Sequence, residues 1–170
     1  MQIVRPYLRK LMEATGETVH FVERDGIDAV YIDKVESLSN GIQMVSRIGS
    51  RIPLYCSGVG KAMVAEMDEW EIEEIWNNSE IIRLTPYTIT DHDDFKMELD
   101  EIRRRGYALD NEENETGVRC IACSLKEPAG GARHAFSISA PVSRMDNDRI
   151  RELADSVLKV REEIAEKLRS

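Results

Sequence analysis

No apolar run in this 170-residue chain approaches the ~18 residues that a membrane-crossing helix needs, so no such helix is expected. The first residues, Met1 to Leu8, lack a basic head followed by an apolar core, and no secretory signal is read there. Cysteine is scarce: Cys56, Cys120 and Cys123 are an odd number at no framework spacing, which points to a reduced, cytoplasmic protein. Positive charge is in deficit, with 23 Lys and Arg against 32 Asp and Glu and a net charge of −9. That argues against nucleic-acid binding over a broad surface, because phosphate contacts need clustered cations. The one dense basic run, Arg103 to Arg105, falls at the end of an expected helix, where cations complement the dipole. Internal repeats and low-complexity linkers are also missing, and the length suits one domain.

What is present reads as alternating helices and strands. Val4 to Ala14 has helical spacing at Leu8, Leu11 and Met12 and is closed by Gly16; Pro6 is tolerable in a first turn. The chain thus starts at or just inside a helix, and an element is expected upstream. Thr18–Arg24 and Ile27–Val35 flank Asp25-Gly26, a strong hairpin signal. A third strand is expected at Ile42–Ile48, before a turn at Gly49 to Pro53. Ser57 can cap a helix from Gly58 to about Met67, and Asp68 a second with Trp70, Ile72, Ile75 and Trp76 apolar. A short strand is plausible at Ile81–Leu84. Thr90 and Asp91 open a helix with a Phe95, Leu99, Ile102 stripe, ended by three arginines and Gly106. Strands follow at Tyr107–Asp110, Arg119–Leu125 and Arg133–Ala140, the last two joined through Gly130-Gly131. A final helix covers about Asn147 to Leu168. Hairpin connections favour an α+β domain, an antiparallel sheet with helices on its faces, over a doubly wound parallel sheet.

Gly58-Val59-Gly60-Lys61 invites a phosphate-loop reading, which fails: Tyr55 stands where the loop needs Gly, and Ala62 where it needs Ser or Thr. What survives is a glycine-rich helix start that suits a small anion, weighed evenly against simple close packing through the glycines. Cys120 and Cys123, three apart in a strand, point to opposite faces and make a poor chelate; no metal site is expected. Ser137 and Ser139 share one strand face, with Phe136 and Ile138 on the other. Taken singly, Asp110, Cys120, Ser137 and Ser139 each read more simply as solvated or core residues. Together they have the make-up of a small polar-ligand pocket.

The combination Gly106-x-x-x-Asp110-x-x-Glu113, then six residues to Cys120-Ile121-Ala122, resembles the signature of the IclR family of bacterial transcription regulators. Pro53-Leu54 leading to Ser57-Gly58-Val59-Gly60-Lys61-Ala62, and Ser137-Ile138-Ser139 before Pro141, fit it too. The resemblance implies a GAF-like, profilin-like effector-binding domain over residues 1–170, following a winged helix-turn-helix DNA-binding domain absent from this chain. It implies no enzyme activity and no cofactor. It implies ligand contacts from Gly58 and Val59 (backbone N–H), Asp110, Cys120, Ser137, Ser139 and the apolar Met44. Val59 departs from the Ala common at its position and trims the cavity. The implied partners are a small 2-oxo acid, a further copy of the chain in a dimer or tetramer, and DNA only through the absent domain. Two alternatives remain at this point. One is a GAF-type thiol reductase using Cys120, which needs a low thiol pKa and a resolving cysteine. The other is a plain oligomerisation module with an empty cavity.

Overall fold

The computed structural model describes residues 1–37 and 46–170. Six strands form one sheet: β1 (Thr18–Asp25), β2 (Asp28–Val35), β3 (Arg51–Pro53), β4 (Ala108–Asn111), β5 (Val118–Lys126) and β6 (Ala132–Pro141). Their spatial order is β3-β2-β1-β6-β5-β4, and every neighbouring pair is antiparallel. Five helices accompany them among the described residues: α1 (Arg5–Thr15), α2 (Gly58–Val64), α3 (Glu69–Asn78), α4 (His92–Arg105) and α5 (Asn147–Arg169).

Alternation along the strands gives the sheet two different faces. One carries Val19, Phe21, Ile121, Cys123, Phe136 and Ile138, and receives Leu8 and Leu11 of α1 with Ile150, Leu153, Val157 and Ile164 of α5. The other carries small residues, Ala29, Ala108, Ala122 and Ala135, together with Val22. Small side chains let α2 lie close on this face, and all seven of its residues are buried. Ile72 and Ile75 of α3 and Phe95, Leu99 and Ile102 of α4 complete the same core.

Capping sets the helix boundaries. Asp68, Asp91 and Asp146 each accept a hydrogen bond from the backbone N–H three residues on, starting α3, α4 and α5. Gly16 and Gly106 end α1 and α4 in the left-handed conformation, at φ 74° and 90°. Gly60 has a different reason to be glycine. A Cβ there would stand 2.4 Å from both Leu54 Cα and Leu54 O, so α2 crosses the preceding backbone where only hydrogen fits. Gly60→Ala is therefore expected to destabilise the domain by at least the ~1–3 kcal/mol typical of overpacking, read as a lower denaturant midpoint at unchanged slope.

Several expectations are corrected. The expected third strand falls largely on residues 42–45, outside the described residues, and Ser46 to Ile48 are not strand. A short strand instead occupies Arg51–Pro53, where a turn was expected; it pairs with Asp28–Val30. Ile81–Leu84 is not a strand: Tyr55 Oη holds Ile82 through both its N–H and C=O, at 3.0 and 2.7 Å. The hairpin turns at Gly26-Ile27, since Asp25 is still paired, with Asp28. Helix α2 stops at Val64 because Glu66 and Met67 close tighter turns onto Met63 and Val64. Trp70 and Leu168 face solvent rather than the core, at 70% and 53% exposed.

Candidate functional site

The antiparallel register places the polar residues of the small-residue face in two adjacent rows. Asp110, Cys120, Ser139 and Thr18 stand side by side across β4, β5, β6 and β1. Ala108, Ala122, Ser137 and His20 form the next row. Residues far apart in the chain meet here because strand pairing, not sequence distance, sets cross-sheet neighbours. Asp110, Ser137, Ser139 and His20 are 4%, 4%, 3% and 2% exposed, so they are not a solvated strand face.

The rows end at the start of α2. A Cβ on Gly58 would touch Ala122 Cβ at 3.4 Å and the Asp110 backbone N at 3.6 Å, so the helix begins directly over Asp110. Ser57 Oγ accepts from Gly60 N–H at 3.1 Å and donates to Pro53 O at 2.7 Å. Among the described residues, the Gly58 and Val59 N–H groups have no acceptor. The two glycines thus divide the readings left open by the sequence: Gly60 serves packing, and Gly58 opens the helix beside the polar rows. Val59 is 4% exposed and joins the α2 core with its side chain. Met44 lies outside the described residues.

Polar contacts run along the sheet. Cys120 Sγ lies 3.0 Å from Ser139 Oγ, which lies 3.2 Å from His20 Nδ1. His20 Nε2 contacts Ser46 Oγ, and its ring packs 5.0 Å from that of Tyr31. The hydroxyls of Ser137 and Tyr31 have no hydrogen-bond partner among the described residues. Their hydrogen-bonding capacity is available to a ligand.

Electrostatics hold most of these groups neutral. Burial pushes His20 down to about 3, helped by the Lys34 charge. Burial pushes the Tyr31 phenol up, with Cys120 and Asp110 adding to the shift. Asp110 is pushed up to about 7, by burial first and then by the Glu113 carboxylate, against the pull of the Glu113 N–H at 2.8 Å and of Lys61. The cation that acts on Asp110 is already committed. Lys61, 1% exposed, lies 2.8 and 3.0 Å from the Glu113 carboxylate, which also accepts from Asn111 N–H at 2.9 Å. The acidic loop is tied down likewise: Thr85 and Thr88 hydroxyls donate to the Glu112 and Glu113 carbonyls at 2.6 Å. Arg103 to Arg105 are spent locally on Asp100, Glu101 and Glu98.

The thiol reductase alternative does not fit. Burial, and then the Asp110 charge, push the Cys120 thiol up, so no thiolate is on hand to attack. Cys123 lies on the opposite face of the sheet, among the α1 and α5 contacts, and cannot resolve a disulfide. Cys56 is pushed up to about 12, again mainly by burial. His20 and Tyr31 are the polar groups that the sequence reading passed over. Their signal was present: Thr18 and His20 alternate with Val19 and Phe21, putting polar groups on the same face as the serines.

A buried, hydroxyl-rich sheet face under a short helix, on an antiparallel sheet with helices on both sides, is the architecture of the GAF-like class. The chain belongs to the IclR family of bacterial transcriptional regulators: the model of that family's C-terminal domain matches residues 1–166. Its named relatives are regulators of transcription and not enzymes. The repressor AllR of Klebsiella pneumoniae is 40% identical over 144 residues, covering 85% of this chain and 53% of its own length. The repressor IclR of Escherichia coli is 34% identical over 166 residues, covering 96% and 60%. The chain thus spans little more than half the length of these relatives. Among solved structures, the Thermotoga maritima IclR superposes with a TM-score of 0.93 at 40% identity, covering 98% of this chain and 67% of that one. The C-terminal domain of E. coli KdgR gives 0.87 at 32% identity, covering 98% and 96%. The inducer-binding domain of Acinetobacter PobR, solved with 3-hydroxybenzoic acid, gives 0.86 at 26%, covering 96% of each chain.

Proposed function

We propose that this domain is the sensing part of a cytoplasmic IclR-type repressor and that it binds a small 2-oxo acid. The acid's carboxylate takes the Gly58 and Val59 N–H groups. Asp110 and Cys120 flank it, and Ser137 and Ser139 orient the remaining oxygens, with Met44 as an apolar wall. In this reading a winged helix-turn-helix, outside this chain, contacts DNA. Self-association as a dimer or tetramer carries the signal to it. Binding shifts DNA affinity by favouring one of two arrangements of that assembly. As the effector we propose 2-keto-3-deoxygluconate, with control of sugar-acid breakdown as the role; the KdgR domain shares the fold. The PobR double-mutant domain, solved with the carboxylic acid 3-hydroxybenzoic acid on the same fold, supports a small carboxylic acid as the ligand.

The observation that carries this reading is the buried Ser137 hydroxyl and the half-buried Tyr31 hydroxyl, neither with a hydrogen-bond partner among the described residues, on the sheet face under the open helix amides. Burying a polar group with no partner costs free energy, and a ligand that supplies one recovers it. A thermal-shift screen of 2-oxo and sugar acids tests it. The expected result is a concentration-dependent rise with 2-keto-3-deoxygluconate, exceeding that with acetate. No shift with any 2-oxo acid favours the plain oligomerisation module.

A further inference from the structure

We propose that His20 is a positioning residue for the effector: its ring, held between Ser139 and Ser46, decides whether the Cys120–Ser139 pair has a hydrogen to give to a bound oxygen. This rests on the effector reading above. One chain of contacts runs from Cys120 Sγ to Ser139 Oγ to His20 Nδ1, and from His20 Nε2 to Ser46 Oγ. A thiol, two hydroxyls and one neutral imidazole own four hydrogens between them. The three contacts use three of these, so one is left to donate outward. The ring is 2% exposed and sits beside the Lys34 charge, which keeps it to a single N–H.

Where the spare hydrogen lies follows from the tautomer. With the hydrogen on Nδ1, His20 donates to Ser139, and Nε2 accepts from Ser46. Ser139 and Cys120 then share one contact but hold two hydrogens, and the surplus one is offered on the Asp110 side of the sheet. With the hydrogen on Nε2, His20 donates to Ser46, Ser139 must donate to Nδ1, and Cys120 must donate to Ser139. The surplus then sits on Ser46, and the Cys120–Ser139 pair has nothing to give. A ligand carboxylate or keto oxygen beside these groups can only accept. Binding therefore selects the Nδ1–H form and turns the Ser46 hydroxyl inward to His20.

Two measurements test this with pyruvate and 2-keto-3-deoxygluconate as probes. In the wild-type domain labelled with 15N-histidine, ring-nitrogen shifts tell a protonated nitrogen from a bare one; the His20 signals are those lost in His20→Asn. The expected result at saturation is a hydrogen on Nδ1 and a bare Nε2. In calorimetry, His20→Asn, whose amide reaches Ser139 from the Nδ1 position, is expected to bind within about threefold of wild type. His20→Gln, whose amide falls at the Nε2 position, is expected to lose about tenfold or more, the loss of one charge-assisted hydrogen bond. A bound state with the hydrogen on Nε2, or equal affinity for the Asn and Gln variants, overturns the assignment while leaving the effector reading intact. A wild-type domain that binds neither acid overturns both. Should the Gln variant not fold, the wild-type nitrogen shifts decide alone.

Discussion

Replacing Lys61 with methionine is expected to lower the thermal midpoint of the domain by roughly 6–20 °C. The ammonium is 1% exposed and meets a Glu113 carboxylate that is itself only 4% exposed. Removing one member of such a pair strands the other charge in a low-dielectric site, at a cost of about 3–5 kcal/mol. A domain of this size loses about 2–4 °C per kcal/mol. Glu98, 3.4 Å from the ammonium, is 23% exposed and keeps Arg105 as a partner, so it loses little. The informative partner is the double variant Lys61→Met with Glu113→Leu. An apolar pair of similar volume is expected to restore most of the midpoint, because the desolvation cost of both charges disappears together. Additive losses would show that the pair is not the source of the effect.

Asp110 is expected to give the domain a pH dependence of the opposite sense to ordinary acid denaturation. Its carboxyl moves from an ordinary value of 3.8 to about 7 in the fold. Between those values the folded protein holds a proton that the unfolded chain has released. Stability from this group is therefore full below about pH 4 and is lost as pH rises towards 7. His20, depressed to about 3, contributes the reverse slope over part of the same range, so the wild-type profile alone is not diagnostic. The comparison with Asp110→Asn is. Asparagine keeps an oxygen for the Glu113 N–H, and His20 is common to both proteins. The variant is expected to gain on wild type steadily between about pH 4 and 7 and then to hold its advantage. Parallel profiles would mean that Asp110 is an ordinary solvated carboxylate. The same titration bears on the effector, because an anion beside Gly58 is repelled less by a carboxyl that keeps its proton.

Much of the architecture is legible in local chemistry. Helix α4 is marked at both ends, by the Asp91 cap and by the arginines before Gly106, and it forms where these signals agree. The β1–β2 and β5–β6 hairpins follow from alternation around glycine turns, and the opposite facing of Cys120 and Cys123 follows from the period of a strand. That Ser137 and Ser139 share one face is legible for the same reason; that this face is buried is not, because strand period does not say which face is covered. What escapes is set by distance or brevity. Lys61 and Glu113 lie 52 residues apart and each belongs to a motif of its own, so nothing local pairs them. Strand β3 has three residues, too few for a period to show. Trp70 is apolar but stands two residues before Ile72, about 200° round the helix, so it lies off the Ile72–Ile75 stripe and faces solvent. The apolar run at Ile81–Leu84 finds a tyrosine hydroxyl in place of a strand neighbour.

The most direct test of the sensing account is calorimetric titration of 2-keto-3-deoxygluconate into the wild-type domain and into Ser137→Ala. The substitution removes one buried hydroxyl that has no partner among the described residues and leaves strand β6 its backbone pairing. The account predicts saturable binding to wild type and a loss of roughly two- to tenfold in the variant, the worth of one neutral hydrogen bond, at an unchanged melting temperature. Equal affinity in the two proteins would contradict it.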